Sequence, residues 1–149
     1  MIKKNQERSN VSEILRIEMP AAHAYLQMIG PSVACLIKNA PSPASKDSLA
    51  YNIELAAPEV CINIIEHAYG GLPGRIQIEF TMLADPPKLV IELYDNGRPF
   101  EYASIPTPNP DEPQIRGYGL FLIQALMDEV EYDPQADGNT WRLVKNLAN

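Results

Sequence analysis

One short stretch of the sequence places four polar side chains at helical spacing. With 100° per residue, all four fall within about 100° of one another, and the residues that would face the opposite side are apolar. A carboxylate and an amide one helical turn apart have the chemistry to hold a metal ion and to position a nucleophile. Taken alone, the same pattern is more typical of the solvated face of an amphipathic helix. The four residues are Glu59, Asn63, Glu66 and His67.

A second candidate group stands where a strand-like pattern ends, in Asp95-Asn96-Gly97. A carboxylate at a strand end can accept a hydrogen bond from the amino group of a ligand, and the neighbouring glycine lets a ligand approach the backbone closely. An Asn-Gly pair also favours an ordinary turn. Both interpretations fit this stretch.

A third group, Arg116-Gly117-Tyr118-Gly119, opens a predicted helix. The free N–H groups and the positive dipole end at a helix N-terminus form a cradle for phosphate. A pair of glycines in G-x-G spacing is by itself equally compatible with a packing turn.

Period-2 and period-3.6 patterns predict the elements that must hold these groups. The predicted strands cover residues 15–19, 75–82, 88–94, 130–133 and 140–145, and the predicted helices cover 21–39, 46–69 and 118–128. Two hairpins are expected, the second around Asp137-Gly138-Asn139. This order predicts an α+β fold, a two-layer sandwich in which a mixed or antiparallel sheet carries helices on one face.

Prolines interrupt the first two predicted helices. Gly30-Pro31 should kink or divide the first helix. Pro58 removes the hydrogen bond to the carbonyl of Glu54 and should bend the second helix just before Glu59.

Proline is also concentrated between the second and third groups. Five of the 14 prolines lie within residues 99–113, a stretch that cannot form a helix or an inner strand. Loops of this length in a compact domain are usually functional lids or disordered links. We therefore expect residues 99–113 to form either a functional lid or a disordered link.

Length and composition exclude several classes of protein. The 149 residues suffice for one domain with an ordinary hydrophobic core, and the net charge of −7 argues against a surface for a nucleic-acid backbone. Cys35 and Cys61 stand among apolar neighbours without metal-ligand spacing, which predicts reduced core residues. No apolar run reaches the length of a membrane span, and the first ten residues lack a signal-peptide pattern. We expect a cytoplasmic protein that binds neither nucleic acid nor membrane.

Taken in order, the three groups resemble the motifs of the GHKL nucleotide-binding superfamily, which includes gyrase, MutL and histidine kinases. The resemblance runs from about residue 11 to the end of the chain, and it is closest to the small anti-sigma-factor serine/threonine kinases of bacterial partner switching. The matching motifs are Glu59-x-x-x-Asn63-x-x-x-His67-Ala68-Tyr69, Asp95-x-Gly97-x-Pro99-Phe100 and Gly117-x-Gly119-Leu120. Family members usually carry a small residue where this chain has Pro58, which puts efficient catalysis in doubt.

The resemblance implies a fold and a division of the chain. Residues 1–10 would be a flexible N-terminus, and residues 11–149 a single ATP-binding kinase domain of the GHKL sandwich type. Residues 98–116, approximately, would form the lid over ATP.

The resemblance also implies a role for each site residue. Asn63 would ligate Mg²⁺ between the ATP phosphates, and Glu59 would orient or deprotonate the attacking hydroxyl. Asp95 would accept a hydrogen bond from the adenine amino group in a pocket shaped by Gly97. The phosphate side would be formed by Arg116, Gly117, Gly119 and Leu120. For the arginine, a solvated surface role stays open.

The implied activity is that of an ATP- and Mg²⁺-dependent serine/threonine protein kinase. It would phosphorylate a STAS-type anti-anti-sigma partner and, in its other state, sequester a sigma factor or a similar regulator. A homodimer is also implied. Two alternatives remain open. One is a nucleotide-gated protein-binding switch without efficient phosphotransfer, which Pro58 and the proline-rich lid motivate; the other is a simple ATP hydrolase, since the same glutamate can activate water.

Overall fold

A computed structural model describes residues 7–40, 46–99 and 118–148 of the chain. The strands are β1 (Val11–Pro20), β2 (Arg75–Ala84), β3 (Pro87–Asp95), β4 (Glu129–Gln135) and β5 (Gly138–Asn146). The helices are α1 (Ile29–Lys38), α2 (Lys46–Asn63) and α3 (Tyr118–Leu126), with a 3-10 helix over His23–Met28 and a π-helical turn over Ile64–Ala68. Among the described helices, none is long and apolar enough to cross a membrane.

The five strands form one sheet in the order β1-β2-β3-β5-β4, and every neighbouring pair is antiparallel. The first predicted hairpin is the pair β2-β3, and β5 lies on the other side of β3, so that the end of β3 meets the start of β5. The helices share one hydrophobic core with one face of this sheet. The predicted α+β sandwich is confirmed, and its sheet is antiparallel rather than mixed.

Strand alternation determines which face of the sheet is buried. On β2, Ile76, Ile78, Phe80 and Met82 are buried in the core shared with the helices, and Leu83 is buried with Val90 and Val144 in a separate small cluster. The helices add Val33, Ile53, Cys61, Ile64 and Ile123 to the same core. Burial of the apolar side of α2 against the sheet fixes the direction of its polar side, which carries the first candidate group.

The first predicted helix is divided, as Gly30-Pro31 predicts, but the division lies earlier. The 3-10 helix ends at Met28 and α1 begins at Ile29. Pro31 therefore falls in the first turn of α1, where proline is tolerated because the first N–H groups have no partner within the helix.

Helix α2 passes through Pro58 and stays α-helical up to Asn63. The next five residues, Ile64–Ala68, form a π-helical turn, although the sequence predicted ordinary helix to residue 69. Gly70 and Gly71 then leave the helix with positive φ values of 59° and 78°, which glycine adopts without steric cost. π-helical turns occur frequently at functional sites, and this one directly follows Asn63.

The second hairpin is confirmed, but its turn is not where the sequence predicted it. β4 ends at Gln135 and β5 begins at Gly138, so Asp137 belongs to the turn while Gly138 and Asn139 belong to the strand. Asn139 pairs with Asp95 of β3. The turn preference of asparagine is overridden because its side chain finds buried hydrogen-bond partners.

The two cysteines lie in different environments. Cys61 is buried in the core, and burial raises the pKa of its thiol to about 12. Cys35 is exposed, so the prediction that it is a core residue is wrong. The buried positions of α1 are Ile29, Val33 and Ile37, spaced four residues apart, and Cys35 falls between the last two on another face of the helix.

Candidate active site

The outward face of α2 and of the π-helical turn carries the four predicted polar residues. Glu59 and Asn63 are half-buried, whereas Glu66 and His67 are exposed. The opposite face is buried and consists of Cys61, Ile64, Ile65 and Ala68. The predicted amphipathic division is confirmed, and Glu59 and Asn63 are the two members of the polar face that lie in a partly enclosed position.

The carboxylate of Glu59 lies against the first turn of α3. A Cβ atom placed on Gly119 would come within 2.7 Å of Oε2 of Glu59, so the glycine leaves room for the carboxylate. Burial raises the pKa of Glu59, and the negative charge of Glu66 raises it further. A carboxylate with a raised pKa is a better proton acceptor near neutral pH.

Asn63 lies one turn beyond Glu59 and holds a polar atom without a partner. Its Nδ2 is buried and makes no hydrogen bond within the described residues. A buried donor without a partner costs about 1–3 kcal/mol. Because a rotation of the amide exchanges Nδ2 and Oδ1, this position suits an anionic oxygen in one orientation and a cation in the other.

Asp95 ends β3 and is almost fully buried, with 1% of its surface exposed. Its Oδ1 accepts hydrogen bonds from the backbone N–H of Gly97 and from Nδ2 of Asn139, both at 2.9 Å. Burial raises the pKa of the carboxyl group, and these two hydrogen bonds oppose the rise. Within the described residues nothing donates to Oδ2, so this is the oxygen that a ligand can use.

Gly97 stands where the end of β3 meets the π-helical turn. A Cβ atom on Gly97 would lie 2.5 Å from the carbonyl oxygen of Ala68, so a larger residue does not fit without a backbone shift. The N–H of Arg98 donates to the same carbonyl at 2.8 Å. The segment after Asp95 is thereby fixed against the end of the helical stretch that carries Asn63.

Tyr69 joins the same two parts of the molecule. Its hydroxyl lies 2.6 Å from the carbonyl oxygen of Arg75 and 2.8 Å from Oδ1 of Asn96, and it accepts the N–H of Asn96 at 3.1 Å. Its ring covers Gly74, where a Cβ atom would come within 2.4 Å of the ring. Tyr69 therefore positions the turn that follows Asp95.

The structure brings the predicted site residues together in two groups, one on each side of the π-helical turn. The first group is Glu59, Asn63 and Gly119, and the second is Asp95 and Gly97. Leu120 is 8% exposed and packs in the hydrophobic core beneath the first group. Several predicted features lie outside the described residues, namely Arg116, Gly117, Phe100 and the predicted lid apart from Arg98 and Pro99.

Sequence analysis missed Asn139 as a partner of Asp95. The signal that could have located it is its place in the alternation of β5, where it shares the buried face with Trp141 and Leu143. The Asp-Gly-Asn run was interpreted as a turn instead. The contacts of Tyr69 were missed because they join segments whose contact the sequence does not show.

The chain matches the family model described as histidine kinase-like ATPase domain over residues 21–145. Among curated proteins it is 30% identical over 132 residues to the serine-protein kinase RsbW of Bacillus cereus (strain G9842), covering 80% of this chain and 76% of that protein. The protein of the same name from Bacillus mycoides (strain KBAB4) is 29% identical with the same coverage.

Two solved structures share the fold. The RsbU and RsbW domains of a Mycobacterium tuberculosis protein align with a TM-score of 0.65 and 20% identity over 91% of this chain. The alignment spans 33% of that larger structure. The histidine kinase domain of a blue-light activated histidine kinase from Erythrobacter litoralis aligns with a TM-score of 0.54 and 19% identity, covering 83% of this chain and 60% of that one.

Proposed function

The chain belongs to the histidine kinase-like ATPase family, and we propose that it is an ATP- and Mg²⁺-dependent serine/threonine protein kinase. The observation that carries this proposal is the position of the Glu59 carboxylate. It is half-buried with a raised pKa, one helical turn from Asn63, and lies against Gly119 in the first turn of α3. A proton acceptor in this position suits the transfer of a phosphoryl group to a hydroxyl.

We call Asp95, Gly97 and Asn139 the base end of the site. Oδ2 of Asp95 is the acceptor for the amino group of adenine, and a hydrogen bond to a charged acceptor is stronger than one between neutral groups. Gly97 allows the segment after Asp95 to pack against the carbonyl group of Ala68, which holds the base end in place.

We call Glu59, Asn63 and Gly119 the phosphate end of the site. The N–H groups in the first turn of α3 would bind the phosphates together with Arg116 and Gly117, which lie outside the described residues. The buried amide position of Asn63 that lacks a partner fits Mg²⁺ or a phosphate oxygen. When bound, Mg²⁺ supplies positive charge that neutralises the phosphates during transfer.

Glu59 acts on the hydroxyl of the partner protein. Its carboxylate accepts the hydroxyl proton while the hydroxyl oxygen bonds to the transferred phosphorus and the bond to the ADP leaving group breaks. The contact with Gly119 holds the carboxylate beside the N-terminus of α3, where the phosphates would lie. Positioning of this kind accounts for a large part of catalysis in phosphoryl transfer.

The proposed substrate is a serine or threonine of a STAS-type anti-anti-sigma protein, and the partner in the other state is a sigma factor or a similar regulator. The 30% identity to proteins named serine-protein kinase RsbW supports a serine or threonine as the phosphorylated residue, and the resemblance of the three motifs to anti-sigma-factor kinases supports the STAS-type substrate and the sigma-factor partner. A homodimer, a lid over residues 98–116 and a single domain over residues 11–149 belong to the same proposal.

The direct test is phosphorylation of a STAS-type protein. The chain is mixed with Mg-ATP and a candidate STAS-domain protein, and intact-mass spectrometry counts the added phosphoryl groups. We expect one added group, and a rate about 100-fold lower for Glu59→Gln, because the proton acceptor is lost while the shape is kept. Glu131→Gln, which neutralises an exposed carboxylate on β4, is the matched control and should phosphorylate the partner at the same rate as the unsubstituted chain.

Two results would contradict the kinase. One result is that the chain binds ATP but adds no phosphoryl group to the STAS-type protein, while Glu59→Ala leaves its regulation of the partner unchanged. The chain would then be a nucleotide-gated switch. Steady ATP turnover in the absence of any partner would indicate an ATP hydrolase.

A further inference from the structure

The π-helical turn changes the direction in which Tyr69 points. On a regular α-helix with Glu59 at 0°, Tyr69 would fall at about −80°. The buried residues Cys61, Ile64 and Ile65 occupy an arc from about 140° to 240° on the same helix. The N–H of Tyr69 donates to the carbonyl oxygen of Ile64, five residues earlier, at 3.0 Å. One extra residue in the turn sets the chain back by about 100°, which directs Tyr69 into the buried arc, and its ring packs against the core.

The hydroxyl of Tyr69 lies between the ends of β2 and β3. The register of these strands pairs Gln77 with Tyr94, and the same register continued would place Arg75 directly opposite Asn96. The ladder stops before that pair, and the hydroxyl joins its two members. It lies 2.6 Å from the carbonyl oxygen of Arg75 and 3.1 Å from the backbone nitrogen of Asn96. The hydroxyl therefore takes the place of a direct hydrogen bond between the two strands.

The hydrogen-bond capacity of this hydroxyl is used on both strands. Its one hydrogen goes to the carbonyl oxygen of Arg75, and its oxygen accepts the backbone N–H of Asn96. The side-chain amide of Asn96 is the third partner, with Oδ1 at 2.8 Å, and rotation of the amide presents Nδ2 to the hydroxyl oxygen. A phenylalanine at position 69 would keep the ring but leave the backbone groups of both strands without the partner they share.

The segment that the hydroxyl holds continues directly into the base end of the site. Asn96 follows Asp95, and two residues further on the N–H of Arg98 donates to the carbonyl oxygen of Ala68 at 2.8 Å. Ala68 and Tyr69 are consecutive residues at the end of the π-helical turn. The end of this turn therefore fixes the chain after Asp95 at two points, one through a backbone carbonyl and one through a side-chain hydroxyl.

We propose that Tyr69 is a positioning residue for nucleotide binding: the π-helical turn directs its side chain between β2 and β3, and its hydroxyl holds the strand end from which the base end is built. This inference rests on the proposed ATP-binding function. The partners of the hydroxyl are Arg75 and Asn96, and neither belongs to the phosphate end. Loss of the hydroxyl should therefore weaken nucleotide binding and leave the rate of phosphotransfer at saturating ATP unchanged.

The test uses Tyr69→Phe, which removes only the hydroxyl. Calorimetry with Mg-ATP measures the dissociation constant and the number of binding sites, and phosphotransfer to a candidate STAS-domain protein at a series of ATP concentrations gives KM and kcat. We expect the dissociation constant and the KM for ATP to rise by about fivefold, because two hydrogen bonds are lost, while kcat changes by less than about twofold. Tyr25→Phe, at an exposed tyrosine of the 3-10 helix, is the matched control and should change none of these values.

The split between binding and rate separates positioning from simple structural support. If Tyr69 only stabilised the fold, Tyr69→Phe would reduce the number of binding sites and leave the dissociation constant unchanged, and that result would overturn the inference. A fall in kcat with an unchanged KM would overturn it as well. If Tyr69→Phe does not fold, Gly74→Ala, whose added methyl group displaces the tyrosine ring, is measured in the same way with the same outcomes. A natural chain that does not bind Mg-ATP would contradict the proposed function itself, whereas equal ATP binding by the natural chain and Tyr69→Phe contradicts only the role of Tyr69.

Discussion

At the base end, Asp95 is 1% exposed and its Oδ1 carries two hydrogen bonds, whereas at the phosphate end Glu59 and Asn63 are half-buried. The base end is assembled from strand ends whose positions follow from the register of β3 and β5. The phosphate end is assembled from side chains of two helices, and Nδ2 of Asn63 has no partner in the described part of the chain. In the proposed ATP site the base end would thus be held by strand register and backbone contacts, and the phosphate end by side chains. Each end keeps one buried polar atom without a partner in the described part of the chain, Oδ1 of Asn139 and Nδ2 of Asn63.

The glycines of the two ends differ in the same way. The atoms that a Cβ would meet at Gly97 belong mainly to the backbone of Ala68, which cannot move without the π-helical turn. The atom that a Cβ would meet at Gly119 is the terminal oxygen of Glu59, which can rotate away. A methyl group added at each glycine therefore tests how rigid each end is.

The largest effect is expected at the base end, for Gly97→Ala. With its Cβ only 2.5 Å from a backbone oxygen, the variant should lose about 3 kcal/mol of unfolding free energy and most of its ATP affinity. Urea unfolding followed by circular dichroism and calorimetry with Mg-ATP measure the two losses. Gly30→Ala is the control, because the nearest atom to a Cβ there is 3.9 Å away in a helix, and its stability should be unchanged or slightly higher.

At the phosphate end, Gly119→Ala should affect activity much more than stability. The added methyl group displaces the Glu59 carboxylate, so we expect phosphotransfer to fall at least tenfold, while the free energy of unfolding changes by less than about 1 kcal/mol. The same urea experiment and the mass-spectrometric kinase assay provide both values. Equal losses of stability for the two alanine variants would contradict the contrast between a rigid base end and an adaptable phosphate end.

The same division explains what the sequence could predict. Helical spacing places Glu59 and Asn63 on one face because they are four residues apart, and the resemblance of the three motifs in order then predicted them as site residues. Strand alternation likewise predicted the hairpins and the buried side of the sheet. The base end was found only in part, since the partner of Asp95 lies 44 positions away and its local Asp-Gly-Asn context favours a turn.

Other features depend on packing that no local pattern shows. The π-helical turn over Ile64–Ala68 has no sequence signature of its own, and the sequence left open whether the sheet is mixed and which strand lies beside β3. The exposure of Cys35 depends on which face of α1 meets the sheet, and apolar neighbours in the sequence did not determine it. Sequence analysis succeeded where periodicity fixes a direction and failed where a distant segment supplies the partner.

The smallest expected effect is a shift in pH dependence at the phosphate end. Glu59 works in its ionised form, so the phosphotransfer rate should rise as pH rises through its pKa, which burial and then Glu66 hold above the usual value. Glu66→Gln removes the like charge, lowers that pKa and should move the rising limb to lower pH by less than about one unit, because Glu66 is exposed. Initial rates of phosphotransfer, measured by mass spectrometry at a series of pH values from acid to neutral, locate the rising limb of the pH profile. Glu131→Gln is the control and should leave this limb in place. If the rising limb does not move in Glu66→Gln, burial alone raises the pKa of Glu59. The fold would then set the protonation of the phosphate end without help from a neighbouring charge, just as burial raises the pKa of Asp95 at the base end.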